Sequence, residues 1–232
     1  MPKAYLTIDD SPSPETEGLV DFLTARDIPA FFFVRGELLK KNPRAIEYAI
    51  QRGFVIGNHS YSHKSAGEMK YQDWVDDLEL CDNLIDVAYQ NCNLPRLKKL
   101  YRFPYIDRGD GQKNEQIDMA TIKENDQTLP LQQHLHKYGF HQPFENMPPT
   151  YPNKAKDCLY TFTTRDWMLN NKHLGNHNIK TIDDLMDRVD ADKSLQDKTH
   201  NHVIIMHDQL GLLDTSCALI DYFCKKGFIF QN

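Results

Sequence analysis

Short apolar runs rich in β-branched and aromatic residues alternate along the chain with longer segments whose apolar residues recur every three or four positions. This is the pattern of βα units around a mostly parallel sheet. Strands are predicted at 4–8, 30–34, 54–56, 99–103, 159–162, 203–206 and 228–230, and helices at 15–26, 43–52, 71–89, 129–138, 182–189 and 212–225. Ser13-Pro14 and Asn42-Pro43 supply helix starts, each a polar N-cap followed by a proline whose fixed φ and missing N–H suit the first turn. Phe31, Phe32 and Phe33 read as a strand buried on both faces. One stretch, 106–157, is irregular: Gly109, Gly111, Pro143, Pro148, Pro149 and Pro152 interrupt polar sequence there. It is either a surface excursion or a lid or substrate wall. No internal repeat or low-complexity tract divides the chain, so a single domain over 1–232 is expected.

With 232 residues the chain can bury a sizeable core. Its 27 basic and 33 acidic residues leave a formal net charge of −6, which argues against a nucleic-acid footprint. Lys40-Lys41 and Lys225-Lys226 are solvated faces rather than a basic patch. The five cysteines, Cys81, Cys92, Cys158, Cys217 and Cys224, are odd in number and share no CxxC spacing. They read as buried free thiols, with Cys217 and Cys224 on the core-facing side of one helix, rather than as a disulfide framework or a cysteine zinc site. No apolar run reaches the length of a membrane span or of a signal-peptide core, so a cytoplasmic setting is expected unless preceding residues have been removed.

In a parallel βα array the C-terminal strand ends converge on one face, and sites are built there. Asp9 and Asp10 follow the first predicted strand, His59 and His63 the third, and Arg102 and Tyr105 flank the end of the fourth. Asp166 and Trp167 follow the fifth, and His207 and Asp208 the sixth. Neighbours on a regular strand face opposite ways, so Asp9 and Asp10 share a site only if the backbone bends as the strand ends, which the following Ser-Pro-Ser-Pro favours. Otherwise they form a solvated acidic turn. His59 and His63 share a face if a helical turn opens near Asn58 or Ser60, and are otherwise two solvated imidazoles. Joined to a carboxylate they would make a two-histidine, one-carboxylate site with an open coordination position, as in catalytic metal sites. His134, His136 and His141 do not read as a metal cluster, since helix positions two apart point about 200° apart. Contact with solvent or sugar is the simpler account, and His173, His177, His200 and His202 are assigned to the surface.

At this point an ordered set of motifs comes together. "TIDD" at 7–10, "AFFFVRG" at 30–36, "GFVIGNHSYSH" at 53–63, "RFPY" at 102–105, "RDW" at 165–167, "VIIMHD" at 203–208 and "KKGFIF" at 225–230 together resemble the NodB-type polysaccharide deacetylases. These are metal-dependent carbohydrate esterases that remove acetyl groups from amino sugars. The resemblance implies an α/β fold, a distorted (β/α) barrel of about seven strands. It also implies one divalent metal, zinc by default with cobalt, nickel or iron also fitting, held by Asp10, His59 and His63. Asp9 would be the general base held by Arg102, and His207 the general acid tuned by Asp166. Tyr105 would lend its backbone N–H to the oxyanion, and Trp167 and Ile205 would wall the acetyl methyl. Two departures stand out: Thr163 where the family often has aspartate, which leaves the network around Arg102 or His207 open, and Ile205 where leucine is usual. The implied activity is hydrolysis of an N-acetyl group on an amino sugar or oligosaccharide. The alternatives are a deacetylase or deformylase of a small amide or lipid-linked sugar, and an inactive sugar-binding barrel.

Overall fold

The computed structural model describes residues 1–113, 125–170, 174 and 178–232. Its strands are β1 (Lys3–Ser11), β2 (Phe31–Val34), β3 (Val55–Asn58), β4 (Phe162–Thr163), β5 (Asn201–His207) and β6 (Ile229–Phe230). All pairs are parallel, in the order β3-β2-β1-β5-β4, so the α/β expectation holds. One edge of the long β1 serves two partners: β6 pairs its start at Lys3 and Ala4, and β2 pairs it from Thr7 to Ser11. Seven α-helices are described: α1 (Thr16–Thr24), α2 (Gly36–Lys41), α3 (Pro43–Gln51), α4 (Tyr71–Asn91), α5 (Leu129–Lys137), α6 (Ile182–Ala191) and α7 (Leu213–Lys225). Helix α2 was not predicted, because six residues are too few to establish a 3.6-residue period. Among the described residues, no helix is long and apolar enough to cross a membrane.

The predicted strand at 99–103 is not a strand. Tyr101 makes a single parallel bridge to Asn58, with Asn58 N donating to Leu100 O at 2.8 Å and Arg102 N to Asn58 O at 2.9 Å. Pro104 ends the stretch and cannot donate to a ladder. On its other side Cys158 N donates to Tyr101 O at 2.7 Å. Isolated bridges, Tyr101 to Asn58 and Lys99 to Phe140, thus stand where a seventh strand was expected.

Alternation in β1 sorts two core layers. Ala4, Leu6 and Ile8 join Phe32, Val34, Ile204 and Met206 in a cluster with the helices. Tyr5 joins Phe31, Phe33, Leu100, Val203 and Ile205 on the inner side. The inner layer is completed by Phe144, Met147, Tyr151, Ala155, Cys158, Leu159 and Tyr160. The second part of the irregular stretch is therefore neither a surface excursion nor a lid; it is a plug that buries the inner face, and residues 114–124 of that stretch lie outside the described residues. Its ends are tied by a buried ion pair, Arg108 Nη2 to Asp157 Oδ1 at 3.0 Å, and by Gln132 Nε2 donating to the same oxygen at 2.8 Å. A third cluster packs Trp74, Leu78, Leu131 and Leu135 of α4 and α5 against Tyr101 and Phe103.

Several local expectations are corrected. Neither Ser13 nor Asn42 caps a helix through its side chain; Ser13 accepts from Glu15 N and donates to the buried Asp208, which clamps the segment after β1 onto the end of β5. Cys81 and Cys158 are buried, but Cys92 and Cys217 are half-buried and Cys224 is exposed, so α7 turns Leu219, Ile220 and Phe223 inward instead. His134 is buried, stacked on Tyr138 with its Nδ1 3.1 Å from the Tyr71 hydroxyl. His202 is buried beside Phe228, its Nε2 at 2.9 Å from Asp197 O. His136 and His141 are exposed and His200 is half-buried, while His173 and His177 lie outside the described residues.

Tight packing at the strand ends makes one position unforgiving. A Cβ on Gly57 would stand 2.6 Å from Phe33 Cε1 and 3.2 Å from Leu100 Cβ, in the inner layer. Gly57→Ala is expected to cost about 1–3 kcal/mol through overpacking, read as a lowered midpoint in urea unfolding at unchanged slope; an unchanged midpoint would show that Phe33 can yield.

Candidate active site

Asp9 and Asp10 are both buried and both point into one site, although they are neighbours on β1. The bend lies within the strand, not after it: Asp10 takes φ +66°, and the β1–β2 register shifts between Ile8 and Ser11. Asp9 keeps the inner face that Tyr5 and Thr7 occupy, and it is the register partner of His207 across β1 and β5. The left-handed residue turns the next carboxylate toward the strand ends, where alternation would have sent it into the helical layer.

The histidine pair is also built differently from the helical turn that spacing suggested. Residues 59–63 form an irregular loop with Ser60 at φ +67° and His63 at φ +56°. Its shape is fixed by Ser60 N donating to Asn58 Oδ1 at 2.8 Å, His63 N to Ser60 Oγ at 2.8 Å and Tyr61 N to Asp77 Oδ2 at 2.8 Å. The imidazoles end 5.0 Å apart, centre to centre. Tyr105, at φ +57° and half exposed at 50 %, lays its ring against His63 at 4.8 Å. Left-handed non-glycine residues cost on the order of 1–3 kcal/mol each and persist where the surroundings hold them; here Asp10, Ser60, His63 and Tyr105 gather at one place.

The donor set fits a divalent cation. Ligand atoms of Asp10, His59 and His63 lie within 4.8 Å of one another. Asp10 Oδ1 is buried with no hydrogen-bond partner, 3.2 Å from His63 Nε2 and 3.9 Å from His59 Nε2. Ligands of a tetrahedral ion with bonds of about 2.1 Å stand about 3.4 Å apart, so little movement is needed. His59 Nδ1 lies 2.9 Å from Arg102 O. It can only donate to that carbonyl, which leaves Nε2 with its lone pair free for a cation.

Around this trio, Arg102 is fully buried over the Phe33 ring, with Nε donating to Cys158 O and Nη1 reaching both Thr7 Oγ1 and Asp9 Oδ1, each at 2.8 Å. Thr7 was missed by the sequence reading, although a residue two before Asp9 on a strand shares its face. Asp166 is buried and accepts from His207 N at 2.7 Å and from Thr164 Oγ1 at 2.9 Å, while His207 Nδ1 lies 2.9 Å from its Oδ1. Thr163 enters neither network through its hydroxyl, which accepts from Arg165 N at 3.3 Å. Ile205 lies in the inner cluster, and Trp167 is half-buried against the outer one, so the two approach from opposite faces of the sheet.

These contacts set protonation. Burial acts to raise the Asp10 carboxyl, but attraction to His63, His207 and His59 brings it down to about 2. Burial lowers His63 to about 4 despite the pull of Asp10. Near neutral pH the pair is thus an ionised carboxylate and a neutral imidazole, the forms a cation requires. Burial also works against the charged form of His207, but Asp166, with Asp10 and Asp9 adding to it, raises the group to about 9. The site therefore holds a protonated donor beside the buried Asp9, a division of roles suited to acid–base chemistry.

The chain is similar to known proteins in sequence and in fold. The sequence profile of a family described as polysaccharide deacetylase matches residues 1–120. Over 63 residues the chain is 38% identical to a chitooligosaccharide deacetylase of Sinorhizobium fredii, covering 27% of this chain and 29% of that protein. Over 70 residues it is 36% identical to a peptidoglycan-N-acetylglucosamine deacetylase of Bacillus cereus, covering 30% of this chain and 26% of the relative. The matches span less than a third of either relative's length. The fold is like that of a family 4 carbohydrate esterase from Streptomyces lividans in complex with acetate, with a TM-score of 0.65 over 100% of this chain and 92% of that one, at 19% identity.

Proposed function

The chain belongs to the polysaccharide deacetylase family, and from that premise we propose that it hydrolyses the N-acetyl group of an amino sugar, with Asp10, His59 and His63 holding a divalent cation. The observation that carries this reading is the placement of Asp9 and His207 as register partners beside the ligand trio. A divalent cation bound there supplies Lewis acidity, polarising an acyl oxygen and lowering the pKa of water. Zinc suits two imidazoles and one carboxylate, and cobalt, nickel or iron would use the same donors.

Asp9, fixed by the Arg102 guanidinium at 2.8 Å, accepts the proton of the attacking water. His207 enters the reaction protonated and gives its proton to the amine nitrogen as the C–N bond breaks. Asp166 orients that imidazole and favours its charged form. Tyr105 contributes its backbone N–H to the oxygen that gains charge, and Trp167 and Ile205 border the acyl methyl. An amino sugar is the substrate of choice because two of the relatives are described as a chitooligosaccharide deacetylase and a peptidoglycan-N-acetylglucosamine deacetylase. Residues 1–232 are read as one domain, since the inner cluster draws on β1, β2, β5 and the plug together.

Acetate release from chitooligosaccharides and peptidoglycan fragments tests this, using chelator-stripped protein before and after zinc is restored. Release that depends on the cation is the expected result. Silence on every sugar, with formate or acetate freed from small amides instead, would move the substrate class; silence throughout with one ion bound per chain would leave a sugar-binding barrel.

A further inference from the structure

Besides His59 and His63, two side chains flank Asp10, one near each oxygen of its carboxylate. Gln209 Nε2 donates to Oδ2 at 2.7 Å. Arg35 Nη1 stands 4.0 Å from Oδ1, the buried oxygen without a hydrogen-bond partner. Neither position is arbitrary. Gln209 follows the end of β5 by two residues, and its Oε1 is met by Asn170 Nδ2 at 3.5 Å. Arg35 is the residue between β2 and α2, where Arg35 N donates to Ser11 O at 2.9 Å and Gly36 N to Ser60 O at 2.9 Å, while its Nη2 pairs with Glu37.

A carboxylate that meets a cation through one oxygen must have the other one held, or it can turn to bind through both. Outer hydrogen bonds of this kind are worth about 10–100-fold in affinity. A guanidinium, in contrast, is charged at every relevant pH, and at 4.0 Å from a ligand oxygen it repels an incoming cation. Without the cation, the same charge compensates the buried Asp10.

We propose that Gln209 is the positioning residue of the cation site, holding Asp10 by Oδ2 so that Oδ1 alone faces the ion, and that Arg35 is a fixed counter-charge that lowers the site's affinity. This rests on the reading that Asp10, His59 and His63 hold the cation. The two groups act with opposite sign, which a merely structural role would not produce.

The test is cation affinity without substrate, measured for zinc and cobalt by competition with a chromophoric chelator. Full-length wild type, Gln209→Met, Gln209→Asn, Arg35→Met and His63→Ala are compared, and thermal melting of each stripped protein reports folding. Wild type is expected to bind one ion per chain and His63→Ala to lose it. Gln209→Met should bind about 10–100-fold more weakly, with the visible spectrum of the cobalt form altered by changed coordination, and Gln209→Asn should fall in the same direction. Arg35→Met should bind more tightly than wild type. Glutamine variants within twofold of wild type would overturn the positioning role, and an Arg35→Met that binds equally or more weakly would overturn the counter-charge. A wild-type chain that binds no ion would remove the underlying reading and this inference with it, a result distinct from either.

Discussion

Asp9→Asn is expected to lower acetate release from N-acetylglucosamine oligomers by about 100- to 10,000-fold, the range lost with a positioned proton acceptor. Asparagine keeps the shape of the side chain and can still accept the hydrogen bond from Arg102 Nη1, but it cannot take a proton from water. The substitution carries a second cost. Arg102 is fully buried, and removing the charge of its partner leaves a guanidinium compensated only by Thr7 Oγ1, Cys158 O and an amide oxygen. Breaking a buried pair outright costs about 3–5 kcal/mol, and the retained hydrogen bond should keep the loss below that. Activity must therefore be normalised to the folded fraction at the assay temperature. Cation stoichiometry should stay at wild type, because Asp10, His59 and His63 keep their places. Activity within tenfold of wild type would mean that some other group takes the proton.

The second large effect is on pH dependence. His207 stands at about 9 because Asp166 outweighs the cost of burial, so it is protonated through the neutral range. A donor of this kind is active below its pKa, and the alkaline limb of the rate profile reports its loss. A cation at Asp10 cancels part of the attraction that Asp10 adds, so that limb should fall below 9 in the loaded protein. In Asp166→Asn it should move further down, toward the ordinary histidine value of about 6.5. Stability has the same sign. A folded pKa above the unfolded one contributes stability that is fully present below about pH 6.5 and is lost as pH rises through about 9. For His207 that contribution is on the order of 3 kcal/mol. Titration of the His207 imidazole by NMR in stripped protein checks the origin directly. A His207 that titrates at the same pH in wild type and Asp166→Asn would show that Asp166 serves geometry alone.

What was legible in the sequence was local. Apolar periodicity located most of the helices and the parallel strands because burial repeats every two or every 3.6 residues within a segment. The functional groups were legible because a parallel sheet gathers the residues at its strand ends, so Asp9, His59, Asp166 and His207 could be read as one site from order alone, and Arg102 joins them from a stretch that only bridges the sheet. The stretch at 99–103 misled because its alternation is real: Leu100 and Arg102 face inward and Tyr101 and Phe103 outward. It makes only isolated bridges, Tyr101 to Asn58 and Lys99 to Phe140, and bridges depend on what lies beside a segment.

The tertiary structure alone decided the rest, for a common physical reason: each feature depends on a partner distant in the chain. Asp10 joins Asp9 through a left-handed residue inside β1, not through the Pro-rich turn that follows it. Residues 144–157 look like loop because they lack a period, yet the sheet gives their scattered apolar side chains an inner face to fill. Gln209 carries no motif, and its contact with Asp10 joins positions 199 residues apart. The sequence by itself determined which side chains can do the chemistry and which strand ends carry them. Packing determined their orientation, because a carboxylate or imidazole is fixed only when backbone strain, buried hydrogen bonds and neighbouring charge act on it together.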